Sequence, residues 1–168
     1  MLTTLFFAVI TFVAIVSAIL VITCKNPINS ALSLVMTFFC LATYYVMLDA
    51  PFMATVQVMV YAGAIMVLIV FTIMLLNIRV DATKKYTHKI VLGSIIGFFT
   101  LINTVFLLLK SRVALPTGPY NGEMIKQIGN TEIIGREMFT NFLLPFEITS
   151  ILLLVAIVGA VIIAKKKL

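Results

Sequence analysis

Five stretches of about 20 residues, four uncharged and the fifth carrying a single acid, constrain this chain more than any other feature. They run approximately over Thr3–Thr23, Asn29–Leu48, Phe52–Asn77, Ile90–Leu109 and Phe142–Ala164. Hydrocarbon offers no hydrogen-bond partners to a backbone, and a helix satisfies its own donors and acceptors within one segment. Composition agrees, because 62% of the 168 residues are apolar, only 11% are charged, and the charges cluster between the stretches. A soluble domain of this length could not hide so much apolar surface. The expected fold is an all-α integral membrane protein, a single membrane domain over residues 1–168 with five transmembrane helices. The first stretch lacks a basic leader and an A-x-A cleavage site, and it is longer than a signal-peptide core, so it reads as a helix of the mature chain.

The breaks are chemically distinct. "CKNPIN" puts Lys25, Asn26 and Pro27 between the first two spans, and "LDAP" puts Asp49 and Pro51 between the second and third, so both hairpins are expected to be tight. "NIRVDATKKYTHK" is a basic connection. The polar connection 110–141 is the longest; Pro116, Gly118, Pro119 and Gly122 precede a mixed-charge run that suits a short interfacial helix. No internal repeat is evident, against an inverted-repeat transporter architecture.

Lys and Arg set the expected orientation. With five spans the termini lie on opposite sides. A cytoplasmic C-terminus puts Lys25, Arg79, Lys84, Lys85, Lys89, Lys165, Lys166 and Lys167 inside, leaving Lys110, Arg112, Lys126 and Arg136 outside. The N-terminus is therefore expected outside. The net charge of +6 is accounted for by this asymmetry and by anionic lipid headgroups, so membrane lipid, not nucleic acid, is the implied partner.

No reaction centre is visible. The single histidine, His88, lies in the basic connection, and Cys24 and Cys40 are too far apart for a redox or zinc motif. No glycine-rich phosphate cradle, activated nucleophile or paired-His haem pattern occurs, and no metal or cofactor site can be assembled. What remains is polar content within the spans. Glu147, in "LLPFEITS", is the one ionisable acid or base inside a span, where a charge costs several kcal/mol unless paired, hydrated or protonated. It is read either as a coupling residue or as a carboxylate reaching interfacial water. In the third span Gln57, Tyr61, Ala64 and Leu68 follow helical spacing and are expected on one face. Gly63, between Ala62 and Ala64, allows either close helix packing or a π-bulge that would turn the rest of the helix by about 100°.

"VYAGAIMVLIVFTIMLLN" closely resembles the third transmembrane helix of subunit J of the proton-pumping NADH:quinone oxidoreductase, respiratory complex I, the NADH dehydrogenase subunit 6 family. "NPINSALSLV" resembles the start of that family's second helix, and "MFTNFLLPFEITSILLLVAIVGAVIIA" nearly reproduces its last. The resemblance implies a membrane-arm subunit whose third helix is π-bulged around Tyr61 and Gly63, with Met66, Val67 and Phe71 changing sides to open or close a hydrated proton path. Some family members carry Glu where this chain has Gln57. It further implies that NADH, FMN, iron–sulfur clusters and quinone are held by other subunits. The implied neighbours are the quinone-site subunit, small K-type and A-type subunits and antiporter-like subunits. The expected location is the bacterial plasma (inner) membrane rather than the mitochondrial one.

Two other readings are carried by the same residues. One is a homologous small membrane subunit of a related hydrogenase or multi-subunit cation/proton antiporter; the other is a stand-alone transporter or channel, disfavoured because five spans hold one acid and no base. The orientation is open to direct measurement. In a background lacking Cys24 and Cys40, single cysteines placed at Lys84–Lys85 and near Gly118 should be labelled from opposite sides of the membrane. Cytoplasmic labelling near Gly118 would reverse the topology.

Overall fold

The computed structural model describes residues 1–76, 87–110, 120 and 122–165, with the side chains of 87–92 excepted. The basic connection with Arg79, Lys84 and Lys85, the turn residues Pro116, Gly118 and Pro119, and Lys166–Leu168 lie outside the described residues, as do Asn77 and Arg112. Among the described residues every regular element is helical: α1 (Leu2–Thr23), α2 (Pro27–Met47), α3 (Pro51–Val56), a π-helical segment (Gln57–Ile65), α4 (Met66–Leu76), α5 (Thr87–Lys110), α6 (Gly122–Ile128), α7 (Asn130–Phe139) and α8 (Leu143–Ala164). Five are long and apolar enough to cross a membrane: Leu2–Thr23, Pro27–Met47, Pro51–Leu76, Gly93–Lys110 and Leu143–Ala164. The expected bounds agree to within a few residues.

Both hairpins are tight for local reasons. At the start of α2 the Asn26 side chain accepts a hydrogen bond from the Ile28 amide at 2.9 Å, and Pro27 occupies the first helical position, where a missing N–H is harmless. At its end Asp49 adopts φ 55°, the Asp49 amide bonds the Val46 carbonyl and the Ala50 amide bonds the Tyr45 carbonyl. That pair of bonds is a Schellman closure, with Asp in the left-handed position where glycine is usual. Pro51 then starts the third span at once.

The packed part of the chain is α1, α2 and the third span. The second span lies against α1 on one side and against α3, the π-segment and α4 on the other. Its buried residues are small, Ala31, Cys40 and Ala42; the elements packed on it bury Ser17 in α1 and Ala54, Gln57, Ala62 and Met66 in the third span. Between helices in lipid there is little hydrophobic driving force, so close approach over small side chains and a few interhelical hydrogen bonds hold the unit. Ser30 Oγ donates to the Val21 carbonyl, and Tyr44 Oη donates to Thr11 Oγ1 at 3.0 Å beside the Phe7 ring.

The last two spans are built differently. Among the described residues α5 touches no other element, and α8 touches only α7. The mixed-charge run forms two helices, because Gly129 with φ 99° separates α6 from α7. The second of these, α7, lies against α3 and buries Ile133. The corner into α8 is tied by Glu137: Tyr120 Oη and the Asn141 amide, the latter at 2.7 Å, donate to its two carboxylate oxygens. Those two hydrogen bonds, Tyr120 first, hold the Glu137 carboxyl below the usual carboxylate range. The rings of Phe139 and Phe146 meet across the corner at 4.9 Å.

The left-handed turn at Asp49 gives a stability test. Asp49→Val places a β-branched side chain where it costs about 1–2 kcal/mol or more, whereas Asp49→Gly relieves the conformation. Thermal inactivation of the assembled complex should come at lower temperature for Asp49→Val and not for Asp49→Gly. Equal behaviour of the two variants would show that the closure does not limit stability.

Candidate functional site: the π-segment of the third span

Nine residues in the middle of the third span, Gln57–Ile65, are π-helical, and the span is α-helical on either side. The Met66 amide still bonds the Tyr61 carbonyl, five residues back. The flanks are unstrained, with Gln57 at φ −58°, ψ −43° and Met66 at φ −70°, ψ −36°. The irregularity is thus a wider turn without a break, and it begins six residues before Gly63.

That wider turn decides which side chains face α2. The buried residues of the span are Ala54, Gln57, Ala62 and Met66, so the step from Gln57 is five residues and the next is four. A regular helix would have placed Tyr61 after Gln57. The shared face expected for Gln57, Tyr61, Ala64 and Leu68 is consequently split: Gln57 is buried, while Tyr61, Ala64 and Leu68 are exposed. Tyr61 leans instead on α2 through Phe38, ring centroids 5.9 Å apart and edge-on.

Gly63 has a spatial reason to be glycine. Its φ is not in the left-handed region, but a Cβ built there would lie 3.1 Å from the Val58 carbonyl oxygen, a backbone atom five residues back. The carbonyl is fixed by its own helix, so the π-turn and a side chain at this position compete for the same space.

Gln57 and Ser17 are the buried polar residues among the described ones, and most hydroxyls of the spans bond their own helix. Thr11, Thr37, Thr43, Thr72, Thr100 and Thr149 each donate to the carbonyl four residues earlier. The Gln57 backbone amide bonds the Met53 and Ala54 carbonyls, its side chain has no protein partner among the described residues, and the residue is only 7% exposed. That side chain carries two donors and an acceptor, chemistry that suits a bound water.

The remaining candidates fall in two places. Met66 is 1% exposed, whereas Val67 and Phe71 are 65% and 49% exposed; all three line one open groove between α2 and α4, with Leu32 and Val35 opposite. Glu147 is in the second turn of α8, exposed, with no side-chain partner among the described residues and away from the π-segment unit. The residues that spacing did not pick out are Ala62 and Phe38. Ala62 replaces Tyr61 on the buried face only because of the five-residue step, which no periodicity in the sequence signals. No group of three or more His, Cys, Asp or Glu that could hold a metal occurs among the described residues.

Residues 17–163 match the model for NADH-ubiquinone/plastoquinone oxidoreductase chain 6. The chain is 39% identical to NAD(P)H-quinone oxidoreductase subunit 6, chloroplastic, of Zygnema circumcarinatum, over 97% of this chain and 92% of that one. It is 42% identical to the protein of that name from Staurastrum punctulatum, over 84% and 78%. To NAD(P)H-quinone oxidoreductase chain 6 of Synechocystis sp. it is 36% identical over 96% and 80%. A five-span helical chain matched along this much of its length belongs to the NADH-ubiquinone/plastoquinone oxidoreductase chain 6 family, whose members are subunits of an enzyme complex of the complex I type.

Proposed function

We propose that this chain is a membrane-arm subunit of a proton-pumping NAD(P)H–quinone oxidoreductase and that its third span is the moving part of the coupling. Electrons pass through NADH, FMN, iron–sulfur clusters and quinone on other subunits, and this chain gates protons. Its neighbours in the assembly are the quinone-site subunit, the small K-type and A-type subunits and the antiporter-like subunits. The complex sits in the bacterial plasma membrane with the N-terminus of this chain outside, an orientation supported by the eight-to-four division of Lys and Arg.

The observation that carries the reading is the π-segment itself, with Gly63 against the Val58 carbonyl. A π-turn holds one residue more than an α-turn, so returning to α geometry rotates everything beyond it by about 100°. With α3 held, Tyr61 would take the place of Ala62 beside α2, and Ile65 that of Met66. The interface would exchange a methyl group and a thioether for a phenol and a branched alkyl chain. A phenol beside the Gln57 amide offers a second polar group for water, so the rotation completes or interrupts a hydrated path. Met66, Val67 and Phe71 move together, and the groove beside α2 changes shape with them. Glu147 supplies an ionisable group within the last span, available to the coupled state.

Substitutions at Gly63 test the switch. Alanine is about 1 kcal/mol better than glycine in a helix interior, which is roughly fivefold in an equilibrium, and its methyl group also crowds the Val58 carbonyl of the π form. Gly63→Ala should therefore depopulate the π form, and Gly63→Val should do so further. The expected complex assembles, oxidises NAD(P)H with artificial acceptors, and loses quinone reduction and proton pumping; Tyr61→Phe should show a milder loss. An assembled Gly63→Val complex with wild-type pumping would exclude the switch.

A second measurement concerns the acid in the last span. Glu147→Gln should lower the number of protons pumped per quinone reduced while leaving assembly intact. Unchanged stoichiometry in assembled complex would leave Glu147 with no part in proton movement.

A further inference from the structure

A change of turn in the middle of a rod does not say which end rotates. Either half of the third span could absorb the 100° turn, and the half held less firmly is the one that moves. The second span lies along α3, the π-segment and α4 alike, so it restrains both halves. Among the described residues one further element touches the span, and only at one end: α7 lies against α3, the six residues just before the π-segment.

Helix α7 is itself well anchored. It buries Ile133, the Phe142 amide bonds the Glu137 carbonyl at 2.9 Å where α7 gives way to α8, and both carboxylate oxygens of Glu137 are engaged by Tyr120 and Asn141. Among the described residues this corner is also the only route by which α8 reaches the three-span unit. We propose that α7 is a brace for the fixed end of the third span, and that Glu137 is the positioning residue that locks the brace between α3 and the last span. The proposal rests on the switching of the π-segment and adds its direction: the half beyond Gly63 rotates, and the half before it stays.

The chemistry at Glu137 allows the brace to be loosened or kept. Glu137→Ala removes both acceptors, whereas Glu137→Gln keeps an oxygen and gains an N–H. Because the Asn141 amide and the Tyr120 hydroxyl can each accept as well as donate, Glu137→Gln is the conservative variant that retains the hydrogen bonds without the charge. A protein in which the corner merely aids folding would respond in assembly alone.

The test follows single cysteines in whole complex in native membranes, in a background lacking Cys24 and Cys40. One probe is Met53→Cys on α3 and the other Leu68→Cys on α4, both exposed positions, read by labelling with an apolar maleimide at rest and during quinone turnover. With the brace intact, labelling at position 68 should change on turnover and labelling at 53 should not. Glu137→Ala should make position 53 turnover-sensitive and reduce protons pumped per quinone reduced, and the conservative Glu137→Gln should keep both readings close to wild type. The brace is overturned if position 53 already responds in the otherwise wild-type complex, if it stays silent in assembled Glu137→Ala complex, or if Glu137→Gln behaves as Glu137→Ala does. A position 68 that never responds would instead remove the switch on which the proposal stands.

Discussion

Lipid gives a backbone amide nothing to bond to, and every feature of this chain is shaped by that lack. Each described span is helical throughout, and the hydroxyls of its threonines fold back onto carbonyls one turn earlier in place of seeking partners elsewhere. The third span departs from the regular form without breaking the rule. A π-turn lengthens the bonded ring from four residues to five while keeping amides paired, as the Met66-to-Tyr61 bond illustrates. A conformational change that keeps its hydrogen bonds at both ends is one of the few a membrane helix can make cheaply, which is why a π-segment is suited to switching where an unwound loop is not.

Packing follows from the same constraint. Without water to expel, α1, α2 and the third span approach over Ala31, Ala42, Ala54 and Ala62 and are fastened by Ser30 and Tyr44. The fourth and fifth spans find no such surface within the described part of the chain, and they remain exposed along their length. Membership of a family of complex subunits gives that arrangement its context: a helix face left uncovered by the described part of its own chain is available to neighbouring chains. Gln57 stands out within the packed unit as a buried residue with an amide side chain, which a polar group or a water would satisfy.

The functional assignment rests on two independent lines that meet at one place. The family match covers residues 17–163, and the structure sets a π-segment on the stretch whose resemblance to the family's third helix is most specific. The proposed mechanism joins them through one steric fact, the 3.1 Å separation between a Cβ at position 63 and the Val58 carbonyl. Glycine is favoured there by the close approach of neighbouring backbone and not by its own dihedral angles.

The sequence by itself determined how many spans there are, roughly where each begins and ends, and how tightly the first hairpins turn. Those properties follow from local chemistry: uninterrupted apolar length, an Asn-Pro helix start, an Asp-Ala-Pro stop. It also supplied the candidates, since a polar or missing side chain in an apolar run is conspicuous in one dimension. It did not decide which candidates share a face. Spacing joined Gln57 to Tyr61 because regular helices repeat near every fourth residue, and the structure joined Gln57 to Ala62 because one turn holds an extra residue. Nor could it pair α7 with α3 or Glu137 with Tyr120, contacts between segments far apart in the chain. Hydrophobic periodicity reports which way a helix faces only while its turn is constant, so the register of the site became visible in the tertiary structure alone.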